Sequence, residues 1–151
     1  MDQIQFDQIT QFLRLQKQIM ESYDSYLSAA ARRIGLTKPE ADILLFLANN
    51  PQFHTARDVV ALRGFSKTYV SKAVDLLAGR GLLETETSAA DRRMQVLRLT
   101  KSAVQPARIL QRAQSAYFQA LGSGITSEEA AVLRRLVQHI QDHLRQIRPI
   151  P

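Results

Sequence analysis

A run of hydrogen-bonding side chains follows Phe65 at the spacing of an α-helix. If Val70 and Val74 face a core, a rotation of about 100° per residue turns the polar side chains of the run outward. Hydroxyl and ammonium groups so placed can donate hydrogen bonds to the edges of DNA bases, and the helix N-terminus can hold a phosphate. The residues expected to bind DNA in this segment are Ser66, Lys67, Thr68, Tyr69, Ser71 and Lys72. The alternative is the solvated face of an ordinary helix.

Two arginines form the centre of a second polar segment. Residues 83–87 and 94–99 alternate in polarity, which predicts a β-hairpin with Asp91, Arg92 and Arg93 at its tip. An arginine on a protruding ribbon can enter the narrow minor groove, where the negative potential is deepest. We expect Arg92 and Arg93 to contact DNA and Asp91 to orient one guanidinium group. The alternative is a charged turn that only keeps the tip soluble.

The sequence offers none of the residue sets that catalysis requires. It has no cysteine, no glycine-rich phosphate loop and no nucleophile beside a base. The lack of cysteine excludes disulfides, thiolate zinc sites and thiol-based redox sensing. We therefore expect no enzymatic activity and no cofactor. His54 stands alone before the cap residue Thr55 and is expected to lie in a loop.

Apolar residues spaced by three or four predict a long first helix over residues 3–33, which Gly35 ends. At about 1.5 Å per residue this helix exceeds the width of a small domain, so part of it must pack on something outside the domain. Val59, Val60 and Leu62 supply the apolar side of a short third helix. Thr100 is a possible cap for the fifth helix. The cap pairs expected to start the second, third and last helices are Thr37 with Glu40, Thr55 with Asp58, and Thr126 with Glu129.

Length and charge set the class of protein and of partner. The 151 residues suit one domain, and a net charge of +6 with a pI near 10.1 suits a polyanionic partner. Nine of the twenty lysines and arginines fall in residues 51–101, so the binding face is expected there. Without a basic leader or a run of eighteen apolar residues, the chain is expected to be cytoplasmic and not to enter a membrane.

These elements combine into a winged helix. Two helices joined by a turn at Gly64 are the helix-turn-helix unit, and the hairpin that follows is its wing. The predicted fold class is mainly α, of the α+β winged-helix type, with six helices and a two-stranded β-wing.

Several segments together resemble the MarR family of bacterial winged helix-turn-helix transcriptional regulators. The segments are Ser66 to Leu77, Arg80-Gly81-Leu82-Leu83, Asp91-Arg92-Arg93 and Leu97-Arg98-Leu99-Thr100. Asp91 and Arg93 meet the Asp-x-Arg signature of the family's wing, and Gly35-Leu36-Thr37 before the second helix is also similar. Glu84-Thr85-Glu86 stands where family members commonly have an arginine, which makes this wing less basic than usual.

The resemblance implies a homodimer that binds double-stranded DNA. In a single domain of residues 1–151, residues 1–34 and 102–151 are expected to form an intertwined dimerisation region and residues 35–101 the DNA-binding lobe. The implied function is a sequence-specific regulator, a repressor that a small-molecule effector releases from a pseudo-palindromic operator. The rival function is a protein-interaction or dimerisation module that meets an acidic protein and does not read DNA sequence.

The resemblance also implies ligands. The family often binds small, mainly anionic aromatic effectors between the dimer helices and the DNA-binding lobe, and Tyr23, Tyr26 and Tyr117 are candidates to line that crevice. The alternative is that these aromatic rings pack in the core. Zinc-sensing relatives use histidines and carboxylates. His139 and His143 supply only two ligands at i, i+4, so a place at the rim of the dimer is favoured and no metal site is predicted.

Overall fold

The computed structural model describes residues 6–147, without the side chains of residues 6 and 7. Within this range lie six α-helices, a 3₁₀ turn and one two-stranded antiparallel sheet, which confirms the predicted fold class. The helices are α1 (Phe6–Arg33), α2 (Lys38–Asn49), α3 (Ala56–Arg63), α4 (Lys67–Gly79), α5 (Val104–Leu121) and α6 (Ser127–Leu144). The strands are β1 (Leu83–Thr87) and β2 (Gln95–Leu99), and the 3₁₀ turn is Lys101–Ala103. The predicted start of the first helix at residue 3 lies outside the described residues.

Helix α1 ends as predicted. Gly35 adopts the left-handed conformation, with φ of 73°, and the amide of Leu36 donates to the carbonyl of Ala31 at 3.0 Å. This geometry satisfies the last carbonyls of the helix, and glycine reaches it without a Cβ penalty. The second half of the predicted apolar stripe is buried at Tyr23 and Leu27 and half-buried at Ala30 and Ile34. Its first half is exposed at Ile9, Phe12, Leu13 and Met20.

The three predicted cap pairs are confirmed as reciprocal capping boxes. At the starts of α2, α3 and α6 the threonine hydroxyl accepts from a backbone amide, and the acidic side chain three residues later accepts from the threonine amide. Both bonds are local, so the sequence spacing alone determines them. Thr100 stands at the N-cap position of the 3₁₀ turn before α5, but its hydroxyl donates to the carbonyl of Gly81 at 2.7 Å, so its side chain does not cap the helix.

The hydrophobic core lies between α2, α4 and parts of α1 and α5. Its largest fully buried apolar side chains are Leu27, Ile43, Leu44, Leu77, Leu110, Val59, Val70 and Val74. Helix α3 contributes less than expected. Val59 is buried and Val60 is half-buried, but Leu62 is exposed, so its assignment to the apolar side of α3 was wrong. With only eight residues, α3 packs through one turn.

Two compact units divide the chain within α5, one up to Tyr117 and one from Phe118. The sequence predicts one apolar face on the last helix, formed by Leu133, Leu136, Val137, Ile140, Leu144 and Ile147. In the second unit the first five of these side chains lie on α6 and are exposed. Ile147 follows the end of the helix instead of lying on it. Among residues 6–147, no helix has the length and apolar character that crossing a membrane requires.

Candidate nucleic-acid interface

A glycine turn and a serine N-cap fix the start of α4. Gly64, with φ of 67°, caps α3 and turns the chain, and the Ser66 hydroxyl accepts from the amide of Tyr69 at 3.1 Å. The Phe65 and Tyr69 rings lie 4.9 Å apart across the turn. These contacts fix the first turn of α4 relative to α3, which is the part of a helix-turn-helix that enters a major groove.

The outward face of α4 is as the sequence predicts. Val70, Ala73, Val74 and Leu77 are buried, so the opposite side is left to solvent. The exposed polar residues of this side are Ser66, Lys67, Thr68, Ser71, Lys72 and Asp75. We call the face formed by these six residues the polar face of α4. It offers hydroxyl and ammonium donors at positions that can reach base edges.

Tyr69 differs from the other residues predicted for this segment. It is half-buried, and its hydroxyl donates to a carboxylate oxygen of Asp42 on α2 at 2.7 Å. The hydroxyl therefore points to the lobe's own interior, whereas the sequence led us to expect a donor to DNA. The expectation failed because the partner lies 27 residues earlier in the chain, where no local pattern reveals it.

The hairpin between β1 and β2 forms the wing. The strands pair in antiparallel register from Leu83 opposite Leu99 to Thr87 opposite Gln95. Arg92 and Arg93 at the tip are exposed, as predicted. Asp91 acts otherwise than expected, because its side chain accepts from the backbone amide of Arg93 at 2.9 Å and its carbonyl accepts from that of Met94. Asp91 thus shapes the turn that presents the arginines and pairs with neither guanidinium.

The wing is also fastened to the start of α3. The amide of Leu97 donates to the carbonyl of His54 at 2.7 Å, and Thr55 forms an isolated bridge with Val96. His54 lies in a loop, as predicted, with an exposed side chain. The extended backbone at His54 and Thr55 therefore acts as a short third strand, which the sequence did not indicate. It fixes the wing relative to the helix-turn-helix.

A basic cleft of about 570 Å³ separates the start of α4 from the wing tip. Its lining includes Lys67 and Ser71 from α4, Arg93 and Asp91 from the wing, and Arg57 from α3. Three cationic side chains thus surround one opening, with Asp91 as the single carboxylate among these five. Arg57 was not predicted as a site residue. Arg57 is exposed and lies in the first turn of α3, the helix that precedes α4. A basic residue at that place in the sequence could have indicated its role.

The three candidate tyrosines lie together. The rings of Tyr23 and Tyr117 are 5.4 Å apart and those of Tyr26 and Tyr117 are 5.5 Å apart. Tyr23 and Tyr117 are buried, and the Tyr117 hydroxyl donates to the carbonyl of Ile19, so both rings belong to the core. Tyr26 is exposed. Tyr23 also lines a cavity.

That cavity has a volume of about 300 Å³, and its walls combine polar side chains with the apolar side chains of Leu45, Phe46, Phe53 and Leu62. Asn49 of α2 donates to Gln114 of α5 at 2.9 Å, and Gln114 donates to the Tyr23 hydroxyl at 2.8 Å. Burial raises the pKa of Tyr23, although the bond from Gln114 acts in the opposite sense. The polar lining residues are Tyr23, Asp42, Asn49, Asn50, Arg63 and Gln114.

The histidines of α6 form no metal site within residues 6–147. His143 Nδ1 lies 2.7 Å from the carbonyl oxygen of His139, and no cluster of three metal-ligating side chains occurs in this range. Their predicted place at the rim of a dimer stays a prediction.

The comparisons with known proteins agree on one family. Residues 34–94, which run from the end of α1 through the wing tip, match the model of the MarR family. No match was found among curated proteins.

Solved structures share the fold. A MarR family transcriptional regulator from Listeria monocytogenes, complexed with 26mer DNA, is 19% identical over 87% of both chains, with a TM-score of 0.78. A MarR transcriptional regulator from Methanosarcina mazei Go1 is 13% identical over 90% of this chain and 98% of its own, with a TM-score of 0.76. The transcription regulator MarR from Oenococcus oeni PSU-1 is 20% identical over 87% and 98%, with a TM-score of 0.67. These proteins are described as regulators, in agreement with the prediction that the chain is not an enzyme.

Proposed function

We propose, from the match of residues 34–94 to the MarR family model and from the winged helix, that this chain is a member of that family and a sequence-specific, double-stranded DNA-binding transcriptional regulator. One observation carries the proposal: the polar face of α4 and the arginine-tipped wing flank a single cleft lined by Arg57, Lys67 and Arg93. A helix in the major groove and an arginine in the adjacent minor groove require that arrangement. The solved DNA complex of the similar Listeria protein supports it.

Each part of the interface has a separate role. Thr68, Ser71 and Lys72 lie on the polar face of α4 and read base edges. Ser66 and Lys67 at the start of the helix hold a backbone phosphate, where the helix dipole adds to the lysine charge. Arg92 and Arg93 enter the minor groove from the wing tip. Arg57 faces the same cleft and adds a phosphate contact from α3.

The regulator acts as a homodimer. Two helices expose large apolar side chains spaced by three or four residues, which places each set on one face of its helix. They are Ile9, Phe12, Leu13 and Met20 on α1, and Leu133, Leu136, Val137, Ile140 and Leu144 on α6. Monomers rarely expose large apolar patches. A second copy of the chain covers these faces in the proposed dimer. Two copies of α4 must then lie about 34 to 36 Å apart to reach successive major grooves of a pseudo-palindromic operator.

The proposed mode of regulation is repression relieved by a small effector. The cavity lined by Tyr23, Arg63 and Gln114 also contains the rings of Phe46 and Phe53. Arg63 is the one cation of its lining and Asp42, which Lys38 neutralises, the one carboxylate, so the cavity suits an aromatic carboxylate. An effector that binds only a conformation with another spacing of the two α4 helices withdraws the dimer from DNA by population shift. Benzoate is a suitable probe: it should raise the melting temperature of wild-type protein, and Arg63→Gln should abolish that rise.

Selection of bound sites from random double-stranded DNA tests the function. We expect an enriched inverted repeat with half-sites one helical turn apart. Lys72→Ala should then cost about 1 to 3 kcal/mol on the selected site and much less on a scrambled duplex, because a base contact is lost. Failure to enrich any site, with binding that disappears as salt rises, would favour the protein-interaction module instead.

A further inference from the structure

We propose that Tyr69 is a positioning residue of α4, which sets the depth and angle of the polar face by holding the first turn of the helix on Asp42 of α2. The inference rests on the proposed function, since it assigns Tyr69 a role in reading DNA without contact to DNA. It replaces the direct base contact that the sequence led us to expect.

Asp42 is a buried carboxylate with two hydrogen-bond partners. Its side chain is only 1% exposed, and a buried carboxylate is tolerated only when charge and hydrogen bonds compensate for lost hydration. Lys38, one turn earlier on α2, approaches its two oxygens at 2.7 and 2.6 Å. The Tyr69 hydroxyl donates to one of the same oxygens at 2.7 Å. Lys38 of the same helix therefore holds the Asp42 carboxylate in place, and one of its oxygens accepts the hydrogen bond from Tyr69 of α4.

Tyr69 lies in the first turn of α4. It is the third residue of the helix, and its amide is the one that the Ser66 cap holds. The neighbours Thr68 and Ser71 belong to the polar face. A bond that fixes Tyr69 therefore fixes the end of the helix that enters the groove first.

The hydrogen bond from Tyr69 to Asp42 has a charged acceptor, which makes it strong. Burial raises the pKa of the Tyr69 hydroxyl, and the Asp42 charge raises it further, so the hydroxyl remains a donor. A hydrogen bond to a charged acceptor is about twice as strong as a neutral one. Lys38 also contacts Asp24 of α1 at 3.1 Å, but that carboxylate is 53% exposed, and exposed pairs contribute little. The buried bond, and not the outer ion pair, holds the helix.

The test is a double-mutant cycle on the DNA site enriched from random sequence. Tyr69→Phe keeps the ring against Phe65 and removes only the hydroxyl, and we expect roughly a tenfold loss of affinity for that site. On a scrambled duplex the affinity and its dependence on salt should stay unchanged, because no phosphate contact is lost. Asp42→Ala should produce a similar loss, and the double variant should be no worse than either single one.

Two further variants guard against simple misfolding. Asp42→Asn keeps an oxygen that can accept from Tyr69, so it should restore most of the affinity that Asp42→Ala loses. Ser115→Ala removes an exposed hydroxyl from α5 and should have no effect. Additive losses in the cycle would show that Tyr69 touches DNA directly, and equal losses on selected and scrambled DNA would show a general loss of structure. Either result overturns the proposal.

A measurement without DNA separates this inference from the proposed function. Amide hydrogen exchange in the free protein reports opening of the first turn of α4, where the amide of Val70 donates to the carbonyl of Ser66. Tyr69→Phe should speed the exchange of the Val70 amide roughly fivefold and leave amides in α5 unchanged. Unchanged exchange at Val70 would overturn the inference even if the protein reads DNA. If Tyr69→Phe speeds the exchange but the wild-type protein selects no DNA site, the proposed function is contradicted, whereas the structural role of the Tyr69–Asp42 bond is supported.

Discussion

The carboxylate of Glu40, at the start of α2, accepts a hydrogen bond from the guanidinium of Arg80, at the end of α4. Glu40 has no exposed surface, while the Arg80 side chain is 45% exposed. The same carboxylate completes the capping box with Thr37, so one buried group joins the beginning of one helix to the end of another. This bond holds the far end of α4, as Asp42 holds the near end.

Arg80→Ala should therefore destabilise the fold. Glu40 keeps its bonds from Thr37 but loses its charged partner, and a hydrogen bond to a charged group contributes about 1.5 to 3 kcal/mol. Urea unfolding, followed by circular dichroism, measures the change in the free energy of unfolding. Arg98→Ala is the matched control, because Arg98 pairs with Glu86 where the two side chains are 67% and 66% exposed, and such pairs are worth about 0 to 1 kcal/mol. Equal effects of the two variants would contradict the structural role of Arg80.

The ionisation of Glu40 predicts how stability depends on pH. Burial acts to raise its pKa, but the hydrogen bonds from Thr37 and Arg80 outweigh burial and lower the pKa below its ordinary 4.5. A carboxyl group with a lowered pKa stabilises the fold above its unfolded value and loses that contribution as the pH falls through the folded value. Glu40→Gln should thus be less stable than wild type at neutral pH, and the difference should shrink well below pH 4.5. A difference that is constant with pH would show that the charge of Glu40 does not contribute.

Interactions between residues close in sequence could be predicted, whereas interactions between residues far apart in sequence could not. Capping pairs such as Thr37 with Glu40, and the glycine turn at Gly64, were predicted correctly because three residues of sequence determine them. The bond from Arg80 to Glu40 spans 40 residues, and no local spacing contains it. The exposed polar face of α4 was also predicted, since burial of one helix side fixes the other.

Two errors concern side chains whose surroundings are decided by tertiary structure: one polar side chain with several possible partners and one apolar side chain on a short helix. The sequence led us to expect that Asp91 binds an arginine side chain, yet its carboxylate accepts from the backbone amide of Arg93, which the turn holds in place. Leu62 has the character of a core residue, but α3 is too short to bury a second turn. In both cases the tertiary arrangement decided, and it is set by the packing of distant elements.

Arg93→Ala tests the wing. If the guanidinium neutralises one phosphate in the proposed complex, its loss should weaken binding and reduce the slope of log affinity against log salt by about 0.9. Fluorescence anisotropy with the selected duplex over a range of salt concentrations gives both values. Arg112→Ala removes an exposed arginine from α5, outside the proposed interface, and should leave the slope unchanged. If Arg93→Ala also leaves slope and affinity unchanged, the wing tip does not contact DNA.

Leu136→Glu tests the dimer. Leu136 is 49% exposed and lies on the apolar stripe of α6 with Val137 and Ile140, so the proposed second copy covers it. A charge buried in that interface costs several kcal/mol without a partner, which is enough to separate the copies at micromolar concentration. Light scattering after size exclusion should therefore give the mass of a dimer for wild type and close to the 17.0 kDa of one chain for the variant. Ala131→Glu adds the same charge to the opposite side of α6 and should remain dimeric, whereas a dimeric Leu136→Glu would place the interface elsewhere.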